Sequence, residues 1–294
     1  MRIALIYNPA SGRRVSLSSL RRMLEREGHE LIRVIEHSAD ASGLADPPAE
    51  LVVAAGGDGT VAEAVRVATG RGVPLAVLPV GTANNIAFSL GLVGPLERLA
   101  RSWHDAPARP FDAGQLHGTN GVRPFVEGVG GGLAEACMAS FQRRPMRRGE
   151  PAPWQLVRAL RRYAQTLARL RPRRWSLTID GSPRTGEFLV VEVLNTRAVG
   201  PNLEFAPDAS PSDGLLTVVT AGEADRQALT HYIAERLAGR DGRLELASET
   251  ARRVDIHDAG ALHIDDELVC VPGGVTASVR LHAAAVNVLV PPPA

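Results

Sequence analysis

Leu51-Val52-Val53-Ala54-Ala55-Gly56-Gly57-Asp58-Gly59-Thr60-Val61-Ala62-Glu63 is the stretch on which the reading of this 294-residue chain turns. Five apolar residues in a row predict a strand buried on both faces. Three glycines within four positions end it, and Thr60 is placed to cap a helix over residues 61–69. Glycines at a strand-to-helix turn let backbone N–H groups approach an anion closely, and a helix N-terminus adds partial positive charge. Asp58 sits in the middle of that site. An acid beside phosphates repels them unless a divalent cation lies between, so Asp58 points to metal–nucleotide chemistry. A tight βα turn with a surface aspartate is the plainer reading of the same residues.

Working outward, residues 3–7 are a short apolar strand ended by the turn cluster Asn8-Pro9-Ala10-Ser11-Gly12. Leu17, Leu20, Met23 and Leu24 follow at helical spacing, and Gly28 stops that helix. Strands at 31–35, 51–55 and 73–78 alternate with helices, the last strand closing on Pro79-Val80-Gly81-Thr82. Short helices are expected at 84–90 and 96–103. This alternation predicts an α/β domain with an open, mostly parallel sheet, whose ligands sit at strand C-termini. The loops at 8–12, 56–60 and 79–85 all follow strands, so they converge on one edge.

Beyond Pro107 the pattern changes. Apolar or alternating segments recur at 110–116, 122–129, 174–181, 186–195, 214–221, 252–256, 262–271 and 276–290, with turn signals such as Asp180-Gly181 between them. They predict an antiparallel β-sandwich domain with inserted helices. The expected domains are residues 1–110 and 111–294, with the last strand free to return to the first. Gly128-Val129-Gly130-Gly131-Gly132 reads as a tight strand-to-helix connection, the alternative being flexible or close-approaching backbone at a cleft. One inserted helix carries Trp154, Val157, Leu160, Ala164, Leu167 and Leu170 on one face, and residues 143–174 hold 11 arginines against the single acid Glu150. That stretch reads either as a core-packed helix with a solvated Arg face or as a surface for anionic lipid headgroups.

Composition bounds the rest. With 45% apolar and 22% charged residues and a net charge of +1, the chain has the balance of a globular protein. No apolar run reaches membrane-spanning length, and residues 2–7 read as a strand rather than a signal peptide. The expected location is cytoplasmic, with peripheral contact at the inner membrane surface allowed. Cys137 and Cys270 lie far apart with no CxxC partner, and His257, Asp258 and His263 match no metal-ligand spacing. The arginines come with no nucleic-acid-binding motif, so no nucleic-acid partner is expected. GxxxxGK[ST], GxSxG and HExxH are absent.

Five elements in order, Asn8-Pro9-Ala10-Ser11-Gly12, Gly56–Thr60, Pro79-Val80-Gly81-Thr82-Ala83-Asn84, Ser212-Asp213-Gly214-Leu215-Leu216 and Ile264-Asp265-Asp266-Glu267-Leu268, carry a resemblance. The chain resembles the diacylglycerol kinase catalytic family, ATP-dependent lipid kinases related to NAD kinases and phosphofructokinases. The resemblance implies ATP and Mg²⁺ as cofactors, a lipid substrate as partner, and an active site in the cleft between the domains; a homodimer is also compatible with it. It implies nucleotide contacts from Asn8, Ser11 and Gly12, from Gly56, Gly57, Asp58, Gly59, Thr60 and Glu63, and from Gly81, Thr82 and Asn84. Ser38 falls where the family often has a further contact. Asp58 would organise Mg²⁺ around the phosphates. A second magnesium site would map to Asp213 with backbone near Ser210 and Leu215, the alternative being an Asp-Gly hairpin turn without metal.

The last acidic element carries the proton chemistry. If 262–271 is one strand, Asp265 and Glu267 point to one face, and their repulsion raises one pKa toward a general-base value. The family pattern is Asp-Gly-Glu, and one of its carboxylates is implied to accept the hydroxyl proton. Asp265 and Glu267 match it, while Asp266 replaces the glycine. Asn85 likewise stands where many members have Asp. These departures keep a non-catalytic lipid or nucleotide sensor open as an alternative; the nearer rival, phosphorylation of a soluble nucleotide as in NAD kinases, has the Asp-Gly-x-Leu and Asp-x-Glu elements and the basic insertion against it.

Overall fold

The computed structural model describes residues 1–37, 48–118, 121–143 and 151–292. The chain divides into two compact units, Met1–Asp112 with Ala283–Ala294, and Ala113–His282.

The first unit runs β1 (Arg2–Tyr7), α1 (Leu17–Arg26), β2 (Glu30–Glu36), β3 (Leu51–Gly56), α2 (Asp58–Ala68), β4 (Leu75–Pro79), α3 (Asn85–Ser89) and α4 (Leu96–Ser102). Its strands are parallel in the order β2-β1-β3-β4, and the end of the chain's last strand pairs beyond β4 through Val288 and Leu75. Every residue of β3 and β4 is buried, as their unbroken apolar runs require in a sheet covered on both faces. The connection from β1 leads to β2 on one side, and the connection from β3 leads to β4 on the other. The sheet's switch point therefore lies between β1 and β3, at the ends of the loops that carry Asn8–Gly12 and Gly56–Thr60. Open α/β sheets bind ligands at such a point.

In the second unit the elements are the remainder of β5 (Ala108–Gly118), then β6 (Gly121–Phe125), β7 (Gly128–Gly132), α5 (Leu133–Arg143), α6 (Ala152–Leu167), β8 (Arg173–Ile179), β9 (Ser182–Phe188), β10 (Val190–Leu194), β11 (Ala198–Val199), β12 (Leu203–Glu204), β13 (Leu216–Ala221), α7 (Arg226–Leu237), β14 (Ala247–Ala251), β15 (Arg253–His257), β16 (Ala261–Ile264), β17 (Glu267–Cys270) and β18 (Thr276–Leu289). One antiparallel sheet has the order β14-β13-β10-β7-β16-β17. Its inner face, with Val129, Val191, Val193 and Val218, packs on Trp175, Leu177, Ile179, Val254 and Ile256 from β8 and β15. Helices α5, α6 and α7 cover the opposite face through Leu133, Leu160, Tyr163, Leu167, Leu229 and Ile233. The antiparallel sandwich with inserted helices is thus present, with a helical layer added to it.

Three expectations need correction. Residues 128–132 form the central strand β7, not a connection. Trp175 and Glu192 fill the space that the missing side chains of Gly131 and Gly130 leave on its two faces. The segment 262–271 is a hairpin, β16 and β17, because Asp265 takes a left-handed φ of 48° and turns the chain. Helix α7 is an addition to the expected elements, although Leu229, Tyr232 and Ile233 recur at i, i+3 and i+4 and are buried.

Candidate active site

In the first unit, the loops after β1, β3 and β4 are laced together through main-chain bonds. Asn8 N–H donates to Ala55 O at 3.1 Å and Arg13 N–H to Val80 O at 2.9 Å. Val80 and Gly81 N–H both donate to Gly56 O at 3.1 Å. Asn8 Oδ1 accepts from Ala10 N–H at 2.9 Å, which curls the first loop back on itself. Gly57 and Gly81 meet backbone to backbone: a Cβ on Gly81 would stand 2.3 Å from Gly57 Cα and 2.7 Å from Asn84 Oδ1. No larger residue fits there without parting the loops.

Helix α2 starts earlier than expected. Gly57 is its N-cap residue and Asp58 its first helical residue, so Thr60 lies inside the first turn rather than capping it. The Thr60 side chain packs over Gly56. Thr60 Oγ1 and Ser11 Oγ are both buried and have no hydrogen-bond partner among the described residues. Two unpaired hydroxyls beside a helix N-terminus offer donors to an anion.

Asp58 ties the second loop to the third. Its Oδ1 accepts from Ile86 N–H at 2.9 Å, and the N–H groups of Asn85 and Asn84 also point to the carboxylate. Burial pushes this carboxyl up from its ordinary value, against those backbone donors. Asn84, left-handed at φ 58°, accepts from Gly81 N–H at 2.9 Å and donates to Gly81 O at 3.1 Å. Gly12 and Thr82 are half-buried and Gly59 is exposed. Glu63 is buried and its carboxylate pairs with His37 Nδ1. Ser38 lies outside the described residues.

In the second unit the acidic hairpin separates its two carboxylates, contrary to the expectation that they share a face. Asp265 turns inward: its carboxylate accepts from Glu127 N–H at 2.8 Å, Val126 N–H at 3.1 Å and Gly128 N–H at 3.2 Å. The Asp265 carboxyl is raised from 3.8 to about 6 by burial first, with Asp266 adding to it and the three N–H donors opposing. Glu267, the first residue of β17, is exposed and pairs with Arg123. The physical reason is the turn. Strand alternation stops at Ile264, so the two-residue spacing no longer places both acids on one face.

Asp213 Oδ1 accepts from Leu215 N–H at 2.9 Å, closing an Asx turn in which Asp213 is exposed and Ser210 and Leu215 are half-buried. One carboxylate with nearby main-chain carbonyls is a hard-oxygen donor set of the kind Mg²⁺ takes, completed by water. Among the described residues, no three His, Cys, Asp or Glu side chains gather as a metal cluster.

Comparison with known proteins identifies the architecture. Residues 2–116 match the diacylglycerol kinase catalytic domain, and residues 152–290 match the YegS C-terminal NAD kinase beta sandwich-like domain. The chain belongs to the diacylglycerol kinase catalytic-domain family. Its class of enzyme is accordingly phosphotransfer to an alcohol acceptor. It is similar to the diacylglycerol kinase of Bacillus subtilis (strain 168), 27% identical over 283 residues covering 90% of this chain and 89% of that one. A diacylglycerol kinase of Mycobacterium tuberculosis is 27% identical over 306 residues, covering 99% and 95%. The crystal structure of a diacylglycerol kinase from Bacillus anthracis str. Sterne shares the fold, with a TM-score of 0.71 at 19% identity over 99% of this chain and 97% of that one. No helix among the described residues is long and apolar enough to cross a membrane.

Two residues beside the acidic hairpin escape a reading of the sequence. Arg123 partners Glu267 from 144 positions away, which no local pattern encodes. Glu192 interrupts the apolar run Val190-Val191-Glu192-Val193-Leu194 as a fully buried acid, and that lone charge is the available signal.

Proposed function

We propose that this protein is an ATP- and Mg²⁺-dependent lipid kinase that moves the γ-phosphate of ATP to the hydroxyl of a diacylglycerol-like acceptor. The observation that carries this reading is Asp265: a partly buried carboxyl that three backbone N–H groups hold in place and that is raised to about 6, matched to accepting a hydroxyl proton near neutral pH. The laced loops at 8–12, 56–60 and 79–85 hold the triphosphate, with Ser11 and Thr60 hydroxyls and the α2 N-terminus as donors. Gly81, Thr82 and Asn84 border the same loops. Mg²⁺, held through Asp58, neutralises phosphate charge when bound. Transfer of a phosphoryl group needs in-line placement and charge neutralisation more than covalent chemistry, which suits a site built from backbone donors and acids. Glu267 and Arg123 stand at the exposed edge of the hairpin, where a headgroup is received. The Asp213 site steadies the second unit. The enzyme works in the cytoplasm, meeting its lipid at the membrane surface.

A second reading, phosphorylation of a soluble nucleotide, draws on the likeness of residues 152–290 to an NAD kinase-type sandwich. Purified protein incubated with radiolabelled ATP and diacylglycerol, sphingoid bases, phosphatidylglycerol or NAD separates the two. Label on diacylglycerol is the expected result, and label confined to NAD refutes the lipid assignment. Magnesium-nucleotide binding without label on any acceptor would instead make the protein a sensor.

A further inference from the structure

His263, Gly130 and Glu192 lie side by side on three neighbouring strands. Gly130 of β7 is the register partner of His263 in β16 and of Glu192 in β10. Because the middle residue has no side chain, the outer two reach across it, His263 Nε2 lying 2.7 Å from Glu192 Oε2. A Cβ on Gly130 would stand 2.0 Å from that oxygen. Both side chains are almost wholly buried, at 1% and 0% exposure. The other ring nitrogen, Nδ1, lies 3.2 Å from the main-chain carbonyl of Asp265. A carbonyl only accepts, so Nδ1 carries a proton, and Nε2 and Glu192 share a second one.

Burying such a pair costs more than burying apolar side chains of the same volume, and the sandwich layers on either side are apolar. The groups that face the pair from other elements are Glu135 of α5, Tyr163 of α6 and Asp265 of the turn. Arg173 of β8 and Arg143 of α5 act on Glu135, and Glu127 acts on Tyr163. Burial opposes the charge on His263 most strongly, but Glu192 together with the Asp265 carbonyl and carboxylate outweighs it, so the imidazole stands higher than its ordinary value.

We propose that His263, charged through Glu192, is a positioning residue for the phosphoryl-transfer reaction: it clamps the Asp265 carbonyl, holds the left-handed turn, and keeps the Asp265 carboxylate aimed and ionisable. This rests on the reading of Asp265 as the proton acceptor. Two variants split clamp from charge. In His263→Asn the amide nitrogen replaces Nδ1 and keeps the clamp without the charge. In His263→Gln the amide reaches toward Glu192 and the clamp is lost.

The test follows kcat against pH for diacylglycerol phosphorylation, together with the ¹³C carboxyl titration of Asp265 in labelled protein, which needs no turnover. His263→Asn is expected to move the Asp265 midpoint and the acid limb upward by about half a pH unit or more, with a smaller loss of kcat than His263→Gln. His263→Gln is expected to show the same displacement with kcat reduced about tenfold or more at unchanged KM. Glu192→Gln, which retains a hydrogen bond to Nε2, should behave as His263→Asn and serves if the His263→Gln variant does not fold. Variants that lose melting temperature while both the Asp265 titration and the pH profile stay at the parent's overturn the proposal. If the parent phosphorylates no lipid, the titration still decides whether the His263 charge acts on Asp265, and the kinase reading fails separately.

Discussion

Asp265→Asn should stabilise the protein while disabling it. The carboxyl stands at about 6 in the folded chain against an ordinary 3.8, so the ionised form costs at most about 3 kcal/mol at neutral pH. An acid whose folded value is raised binds its proton more tightly when folded. Its contribution is therefore full below pH 3.8 and is lost as pH rises through about 6. Asparagine removes that cost. It keeps an oxygen for Glu127 and Gly128 N–H but turns an N–H toward Val126 N–H, giving back about 1 kcal/mol. The net gain at pH 7.5 is about 2 kcal/mol, or roughly 4–8 °C in melting temperature for a unit of this size. Below pH 4 the sign reverses and the variant is the weaker by about 1 kcal/mol. Calorimetry of both chains from pH 3.5 to 8 at constant ionic strength reads this directly, alongside a kcat reduced by about two to four orders of magnitude. A melting difference that does not change with pH, or a less stable variant at pH 7.5, would show that burial does not set this carboxyl.

Gly81→Ala should abolish binding of an ATP analogue and cost roughly 1–3 kcal/mol, because its Cβ meets Gly57 Cα; Gly118→Ala, with open space around it, should leave calorimetric binding unchanged. Glu267→Gln should change thermal stability by no more than about 0.5 kcal/mol, since its pair with Arg123 is exposed, while raising KM for the lipid. A large stability loss would count against its placement at the surface. Arg226→Ala removes donors to Leu167 O and Leu170 O at the end of α6 and should cost about 2 kcal/mol in urea melts, with nucleotide affinity untouched. Chelation of divalent cations should stop ATP turnover and leave the fold's melting transition in place.

How legible each part is depends on where its determinants lie. The loop at 56–60 declares itself because a buried apolar run, a glycine cluster and a helix start are all local. Even there the helix boundary shifts, since Gly57 rather than the better-known Thr cap takes the N-cap position. Strand β7 is unreadable for the opposite reason. A run of Gly128, Gly130, Gly131 and Gly132 has little strand propensity, and it is a strand because Glu192 and Trp175, distant in sequence, occupy both of its faces. Helix α7 is a different case, because its apolar spacing is local and open to reading.

The acidic hairpin shows most clearly what sequence and structure each contribute. Asp180 does at the β8–β9 turn what Asp265 does at the β16–β17 turn. It takes a left-handed φ of 44° and accepts from Arg253 N–H at 2.8 Å and Arg252 N–H at 3.1 Å. By pattern alone both are turn aspartates, and Asp180 is one: exposed, satisfied and structural. What separates Asp265 is burial, which lifts its carboxyl although it accepts more backbone donors than Asp180 does. Hydrogen bonding of this kind lowers a carboxyl, so a raised one so well supplied with donors marks a desolvated pocket rather than a poorly made turn. The Asp180→Asn variant is therefore the matched control for Asp265→Asn. It should lose a few tenths of a kcal/mol to about 1 kcal/mol at pH 7.5, with kcat unchanged. If the two variants instead gave the same gain in melting temperature at pH 7.5, the distinction between a turn acid and the proposed proton acceptor in this sandwich would collapse.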